Sequence, residues 1–125
     1  LIGDTSFIKR GRKIRKVFGG GMRQAGFLAA AGLFALKNNT ERLKEDHRKA
    51  RVLEQELKQL SFVESVLPVY TNIVIFNLTP DVSGENFENY MKKNGVRISA
   101  FGKQTIRLVT HLDLTNDMLE KTISV

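Results

Sequence analysis

Apolar residues along this chain follow two different spacings, and the change from one to the other falls near residue 61. Up to that point they recur at helical spacing, in three stretches predicted as helices: residues 4–18, 22–37 and 41–60. Beyond it, short apolar runs rich in β-branched residues predict four strands: residues 62–70, 72–78, 96–100 and 105–110. Two more helices are predicted to begin at the capping residues Ser83 and Thr115. The pattern predicts an α/β protein, α+β within this segment, with a helical part over 1–60 and a small domain over 61–125.

The second predicted helix is apolar on nearly every side, unlike the other two helices of the first part. Its sequence from Ala25 to Leu36 is AGFLAAAGLFAL, and a helix without a polar face is expected to be buried between layers. The run is shorter than the roughly 20 residues that a membrane span needs, and no secretory signal precedes it. We therefore expect no membrane association, a cytoplasmic protein, and contacts between this helix and a partner.

Composition excludes more chemistry than it identifies. The 125 residues are 42% hydrophobic and 26% charged, as in an ordinary globular protein, and they include no cysteine. Disulfides, thiolate nucleophiles and thiolate metal sites are excluded as a result. Because the chain has only two histidines and scattered carboxylates, we expect neither a catalytic triad nor a metal cluster. The chain begins with Leu1 rather than methionine, so we expect it to be a piece of a longer protein.

The net charge of +7 is concentrated at one end of the chain. Residues 1–23 hold seven basic side chains and a single acidic one, Asp4, whereas the rest of the chain is nearly balanced. A basic helix of this kind can bind the phosphates of a nucleic acid, form one wall of a small anion's site, or simply face solvent. No aromatic residues are interleaved with the basic ones, as single-strand binding would require. A nucleic-acid-binding module is therefore the weaker hypothesis.

A glycine triplet, Gly19–Gly21, follows the basic helix and precedes Met22 and Arg23. It lacks the lysine and hydroxyl of a Walker loop, and no strand precedes it as in a dinucleotide-binding motif. Two interpretations stay open. The triplet ends the first helix as a left-handed cap would. Alternatively, free backbone N–H groups at the start of the second helix attract an anion that Lys16 and Arg23 also approach.

Three later residues are candidates for chemistry. His47 lies among charges on the third helix, where exposure to solvent is expected. His111 follows a strand, and its expected partner is either a strand-end carbonyl or Asp113, so a structural role is favoured over that of a base. Arg107 interrupts the apolar run of a strand, and a buried, unpaired guanidinium is costly. Its side chain should therefore face either solvent or a specific anion, such as a ligand carboxylate at a cleft.

Two long motifs resemble those of a known enzyme family. Residues 7–50, which contain RKVFGGGMRQAGFLAAAGLFAL, and the segment RLVTHLDL (Arg107–Leu114) resemble the same regions of low-specificity L-threonine aldolases. The segments TNIVIFNL and YMKKNGVRIS are similar to the part between them, so the resemblance covers essentially the whole chain. It implies a fold-type I pyridoxal-phosphate enzyme, the fold of aspartate aminotransferase. Residues 1–60 would end the large cofactor domain and include the inter-domain helices, and residues 61–125 would form the small C-terminal domain.

The resemblance also implies a function, which is cleavage of threonine or a related β-hydroxy-α-amino acid to glycine and an aldehyde by a homo-oligomer, a homotetramer. Arg107 matches the arginine that binds the substrate α-carboxylate. Lys16 and Arg23 match basic residues near the cofactor phosphate or the active-site mouth, in their own or a neighbouring subunit. The Schiff-base lysine of the family lies upstream, in a serine–lysine–glycine motif that this chain lacks, so the chain alone is expected to be inactive without the N-terminal part. The alternative is another pyridoxal-phosphate lyase or an aminotransferase of the same fold.

Overall fold

The computed structural model describes all 125 residues, which form five helices and four strands. The elements in chain order are α1 (Thr5–Val17), α2 (Gly26–Asn38), α3 (Leu43–Leu57), β1 (Val63–Val66), β2 (Ile73–Leu78), α4 (Gly84–Lys93), β3 (Ser99–Ala100), β4 (Thr105–Val109) and α5 (Asn116–Ser124). They form two compact units, Leu1–Asn39 and Thr40–Val125. The second unit begins before the division after residue 60 that the sequence predicts, because the apolar side of α3 packs against the sheet.

Helix α1 begins where its capping residue predicts. The Asp4 carboxylate accepts hydrogen bonds of 2.8 Å from the Phe7 N–H and from the Ser6 hydroxyl. These two donors stabilise the ionised form, so they hold the pKa of Asp4 below its usual value, the Phe7 N–H contributing most. The first turn of α1 therefore has its orphan N–H groups partly satisfied by one side chain.

Helix α2 differs from its prediction in two respects. It begins at Gly26 rather than Met22, because Gln24 adopts a left-handed backbone conformation (φ 48°) that interrupts the helical path. No residue of α2 is buried, and Phe27 is 83% exposed. The prediction that α2 is buried between layers is wrong for this structure, because the first unit offers only α1 as a neighbour and neither helix has a buried residue.

The second unit is built on a four-stranded antiparallel sheet with the order β1-β2-β4-β3. Strands β2 and β4 form its centre, with Ile73 paired to Val109 and Asn77 paired to Thr105. The predicted strands are confirmed in order and type. Two of them are shorter than predicted: β1 ends at Val66 rather than at residue 70, because its ladder with β2 ends there, and the ladder of β3 with β4 is limited to Ser99 and Ala100.

One face of the sheet carries the hydrophobic core. Val74, Phe76, Leu78 and Ile106 are fully buried there, as expected for alternate residues of half-buried strands. Helix α3 covers them with its own buried apolar residues, Ala50, Leu53 and Leu57. Helix α4, capped by Ser83 as predicted, adds Phe87, whose ring meets Phe76 edge to face at 6.1 Å between ring centroids. Helix α5 begins after Thr115, also as predicted, and contributes Leu119.

The segment that follows β4 is attached to α3 and to the residue before β2 by buried and partly buried polar contacts. The Thr110 hydroxyl, 1% exposed, donates to the Asp46 carbonyl at 2.7 Å, and the Asn72 amide donates to the Thr110 carbonyl at 2.8 Å. The buried ammonium of Lys49 donates to the Leu114 carbonyl. These contacts fix the end of β4 relative to the helix that packs on the sheet. None of the five helices combines the length and the apolar character that a membrane span would need.

Candidate functional site

The glycine triplet forms a helix stop. Gly19 has φ 73°, and its N–H donates to the Lys16 carbonyl at 3.1 Å, while the Gly20 N–H donates to the Arg15 carbonyl at 2.8 Å. This pair of bonds defines the Schellman motif, which satisfies carbonyls left open at a helix C-terminus. Of the two interpretations, the cap is confirmed. The N–H groups of Gly19 and Gly20 are already bonded to carbonyls of α1. The triplet therefore does not offer three free N–H groups to an anion.

Lys16 and Arg23 lie on either side of the triplet and are both exposed. The Lys16 side chain runs along Gly21: a Cβ built on that glycine would lie 3.4 Å from the Lys16 Cδ and 3.7 Å from its Nζ. The predicted start of the second helix at residue 22 would put Arg23 on its first turn, and this is wrong, because α2 begins at Gly26. The charges of these two residues fit a phosphate. Every residue from 12 to 38 is exposed, however, so the first unit does not itself enclose a cofactor.

Arg107 lies at the middle of the sheet. On β4 it pairs with Ile75 of β2 on one side and with Ser99 of β3 on the other. Its neighbour Ile106 is fully buried in the core, whereas Arg107 is exposed, as alternation along a strand requires. The prediction that its guanidinium avoids the core is confirmed. Because β4 is hydrogen-bonded to β2 on one side and to β3 on the other, the backbone from which the Arg107 side chain projects is fixed.

The guanidinium of Arg107 contacts an aromatic ring that the sequence did not identify as functional. Its Cζ lies 4.8 Å from the centroid of Phe101, within the range of a cation–π interaction. In the sequence, Phe101 and Gly102 indicated only a turn between two strands. The sequence carries no signal for this contact, because only the folded turn brings the ring, which is 59% exposed, against the guanidinium.

An open groove of about 460 Å³ lies beside Arg107 within the second unit. Its lining includes three cationic side chains and a histidine, Arg97, Arg107, Lys121 and His111, and no aspartate or glutamate. A concave surface lined by charge of one sign attracts ligands of the opposite sign. The groove can therefore accept a small anion, and sequence reasoning missed Arg97 and Lys121 because they are 24 residues apart and meet only in the folded chain.

The two histidines have local roles in this structure. The exposed His111 accepts a hydrogen bond at Nδ1 from the Asp113 N–H at 3.3 Å, and the Asp113 carboxylate lies 3.7 Å from the same nitrogen. Of the two partners expected for His111, Asp113 is therefore the one observed. His47 is half-buried on α3 rather than fully solvated.

Comparison with solved structures defines the class of fold. The chain is similar to ornithine δ-aminotransferase of Plasmodium falciparum, with a TM-score of 0.54 and 21% identity over 67% of this chain and 23% of that one. It is also similar to ornithine aminotransferase of Toxoplasma gondii, with a TM-score of 0.50 and 15% identity over 67% of this chain and 20% of that one. In the Toxoplasma gondii structure, pyridoxal phosphate partially occupies that protein's active site. The fold is thus that of fold-type I aminotransferases, as the sequence resemblance predicts.

The family follows from sequence comparison. Residues 1–80 match the family model of beta-eliminating lyases, and the chain belongs to that family. It is 41% identical to the low-specificity L-threonine aldolase of Escherichia coli (strain K12) over 119 residues, 95% of this chain and 34% of that protein. It is 33% identical to low-specificity L-threonine aldolase 1 of Arabidopsis thaliana over 127 residues, 99% of this chain and 36% of that protein. The chain thus spans about a third of the length of these curated relatives.

Proposed function

We propose that this chain is part of a pyridoxal-phosphate-dependent lyase that cleaves threonine or related β-hydroxy-α-amino acids to glycine and an aldehyde. The observation that carries the proposal is the 41% identity to an L-threonine aldolase across 95% of the chain. The exposed Arg107, at the centre of a sheet and beside a groove without acidic residues, supports it. The chain contributes the substrate-carboxylate ligand rather than the whole active site.

Arg107 is proposed to bind the α-carboxylate of the substrate. A planar guanidinium presents paired N–H donors that match the two oxygens of a carboxylate, which fixes orientation as well as position. The β4 ladders hold its Cα, and Arg97 and Lys121 add positive potential along the groove. The amino acid would therefore be held by its carboxylate while its Cα–Cβ bond is oriented for cleavage.

Pyridoxal phosphate, when bound, supplies an electron sink for the carbanion that this cleavage leaves. In this chain, Lys16 and Arg23 are proposed to act on the cofactor phosphate, in their own or in a neighbouring subunit, through charge alone. No lysine of the chain is proposed as the covalent anchor. That role is assigned to the N-terminal part of the same enzyme.

The wider setting of the enzyme is likewise proposed. We propose a cytoplasmic homo-oligomer, a homotetramer, with residues 1–60 at the end of the large domain and residues 61–125 as the small domain. The apolar surface of α2, with Phe27, Leu33 and Phe34 exposed, supports contacts with other parts of the assembly. A small-molecule amino acid is the proposed substrate, and neither a nucleic acid nor a membrane is proposed as a partner.

A chimeric enzyme tests the function. The matched segment of the Escherichia coli relative is replaced by this chain, and acetaldehyde and glycine are measured after addition of L-threonine and pyridoxal phosphate. We expect equimolar products. Arg107→Gln should lower kcat/KM about 10- to 100-fold, because hydrogen bonds to a charged group are lost. Arg51→Gln, at an exposed arginine of α3 outside the groove, is the matched control and should leave kcat/KM unchanged.

The alternative function is that of an aminotransferase or another lyase of the same fold, which the likeness to ornithine aminotransferases favours at the level of fold. The same chimera distinguishes it. If the folded, cofactor-loaded protein releases no aldehyde from threonine but transfers an amino group to an α-keto acid, the aldolase proposal fails and the alternative replaces it.

A further inference from the structure

We propose that Phe101 is a positioning residue for Arg107, its ring holding the guanidinium in the conformation that receives a substrate carboxylate. The inference rests on the proposed role of Arg107 as the carboxylate ligand. It concerns a residue in the turn between β3 and β4, outside the two motifs that carried the family resemblance.

The position of the Phe101 ring is not explained by the hydrophobic core. The side chain is 59% exposed and belongs neither to the buried cluster nor to the residues packed against it. Its one aromatic contact is with the guanidinium of Arg107, at 4.8 Å from Cζ to the ring centroid. Because the ring is mostly exposed, burial contributes little free energy to its position. Its contact with the cation is therefore the main interaction of the ring.

The main chain of the turn is fixed on both sides of Phe101. The Phe101 N–H donates to the Thr105 carbonyl at 2.6 Å, which closes the turn onto β4. The Ala100 N–H donates to a Glu88 carboxylate oxygen at 3.2 Å. After Phe101, the Gly84 N–H donates to the Lys103 carbonyl at 2.7 Å. Helix α4 is therefore hydrogen-bonded to the chain on both sides of Phe101, through Glu88 and Gly84.

Gly84 shows how closely the helix and the turn approach. A Cβ built on that glycine would lie 3.0 Å from the Lys103 carbonyl oxygen, a backbone atom that cannot move away cheaply. Gly102 has φ 92°, which lets the chain reverse directly after Phe101. The ring is therefore attached to a rigid turn, and its place above the β4 ladder follows from that turn.

A ring in this position orders the long, flexible side chain of Arg107. Stacking on the ring face restricts the rotamers of the arginine, while the N–H donors in the guanidinium plane stay free to meet a carboxylate. A ligand that binds the pre-ordered side chain loses less conformational entropy on binding. For an exposed cation–π pair, the expected effect is about a two- to fivefold change in affinity for the carboxylate.

The experiment compares Phe101→Leu, which removes the ring but keeps an apolar side chain, with Phe101→Trp, which keeps a ring face. In the chimera with the Escherichia coli relative, Phe101→Leu should raise the KM for L-threonine about two- to fivefold with little change in kcat. Phe101→Trp should restore the KM. When Arg107→Gln is already present, Phe101→Leu should add nothing, because the pair is already broken. Tyr70→Leu, at an 80% exposed aromatic residue outside the Arg107–Phe101 cation–π pair, is the matched control.

A second measurement does not depend on activity. In proton NMR spectra of the chain, the Arg107 side-chain protons should be shifted upfield by the ring, and Phe101→Leu should abolish the shift. An unchanged spectrum, an unchanged KM, or an equal effect of Phe101→Leu with and without Arg107 would overturn the inference. If Arg107→Gln itself leaves kcat/KM unchanged, the proposed role of Arg107 fails instead, and the two failures are distinguished.

Discussion

Thr110 offers the sharpest test of how the Arg107 strand is held in place. Its hydroxyl is buried and donates to the Asp46 carbonyl at 2.7 Å, joining residues 64 positions apart. Thr110→Val keeps the shape of the side chain and removes the donor. Because the Asp46 carbonyl lies within α3 and keeps its helical partner, we expect the loss of one net hydrogen bond, about 1 kcal/mol and at most about 2 kcal/mol. In a domain of this size each kcal/mol lowers Tm by about 4–8 °C.

Unfolding of this variant can be followed by the intrinsic tyrosine fluorescence of the chain. It has no tryptophan, and its two tyrosines, Tyr70 and Tyr90, both lie in the second unit, so tyrosine fluorescence during urea unfolding reports on that unit alone. The matched control is Thr122→Val, which removes a hydroxyl bonded within α5 to the Met118 carbonyl and should cost less than about 0.5 kcal/mol. If Thr110→Val unfolds at the same urea concentration as the wild type, or shifts no more than the control, the buried hydrogen bond does not hold this strand end.

Three further predictions concern other parts of the chain. Gly19→Ala should lower the helix content measured by circular dichroism, because an L-residue at φ 73° costs about 1 kcal/mol, whereas Gly32→Ala, in open space within α2, should raise it. The hydrogen bond from Arg48 holds the pKa of Glu45 below its usual value, so the pair stabilises the fold at neutral pH and that stability is lost as the pH falls through the lowered pKa. Glu45→Gln should therefore flatten the acid side of the urea-midpoint profile, and an unchanged profile would show that the pair has no effect on stability. Finally, the chain incubated with pyridoxal phosphate and then reduced with borohydride should show only scattered lysine adducts by mass spectrometry. A stoichiometric adduct at one lysine would contradict the assignment of the anchor to the N-terminal part.

Local features of the fold were predictable because their causes lie within a few residues. Asp4, Ser83 and Thr115 each cap the helix that follows them, as their side chains predict. The start of α2 was not predictable, since it depends on a left-handed backbone at Gln24, a residue type that seldom adopts one. The exposure of α2 was also not predictable, because the sequence of an apolar helix shows that the helix needs neighbours and not whether they are present.

In the candidate site, too, some features were predictable from the sequence and others depended on the fold. A charge within an apolar strand predicted that Arg107 avoids the core, because alternation along a strand is a local property. The contact of Phe101 with Arg107, on which its proposed role rests, arises only in the folded turn that brings the ring above β4. The glycine triplet allowed two interpretations, and only the two hydrogen bonds to the end of α1 distinguished the helix stop from an anion cradle.

The separate anchoring of Arg107 and of its neighbouring turn has a consequence for how such an enzyme can diversify. The arginine is fixed through the ladders on both sides of β4, whereas the turn that carries the ring is bonded both to Thr105 of β4 and to Gly84 of α4. The exposed side chain at position 101 can therefore be replaced without displacing the point from which the cation projects. Under the proposed roles of Arg107 and Phe101, the strength with which a substrate is held can change through the residue at position 101 over evolutionary time, while the group that is recognised stays the same.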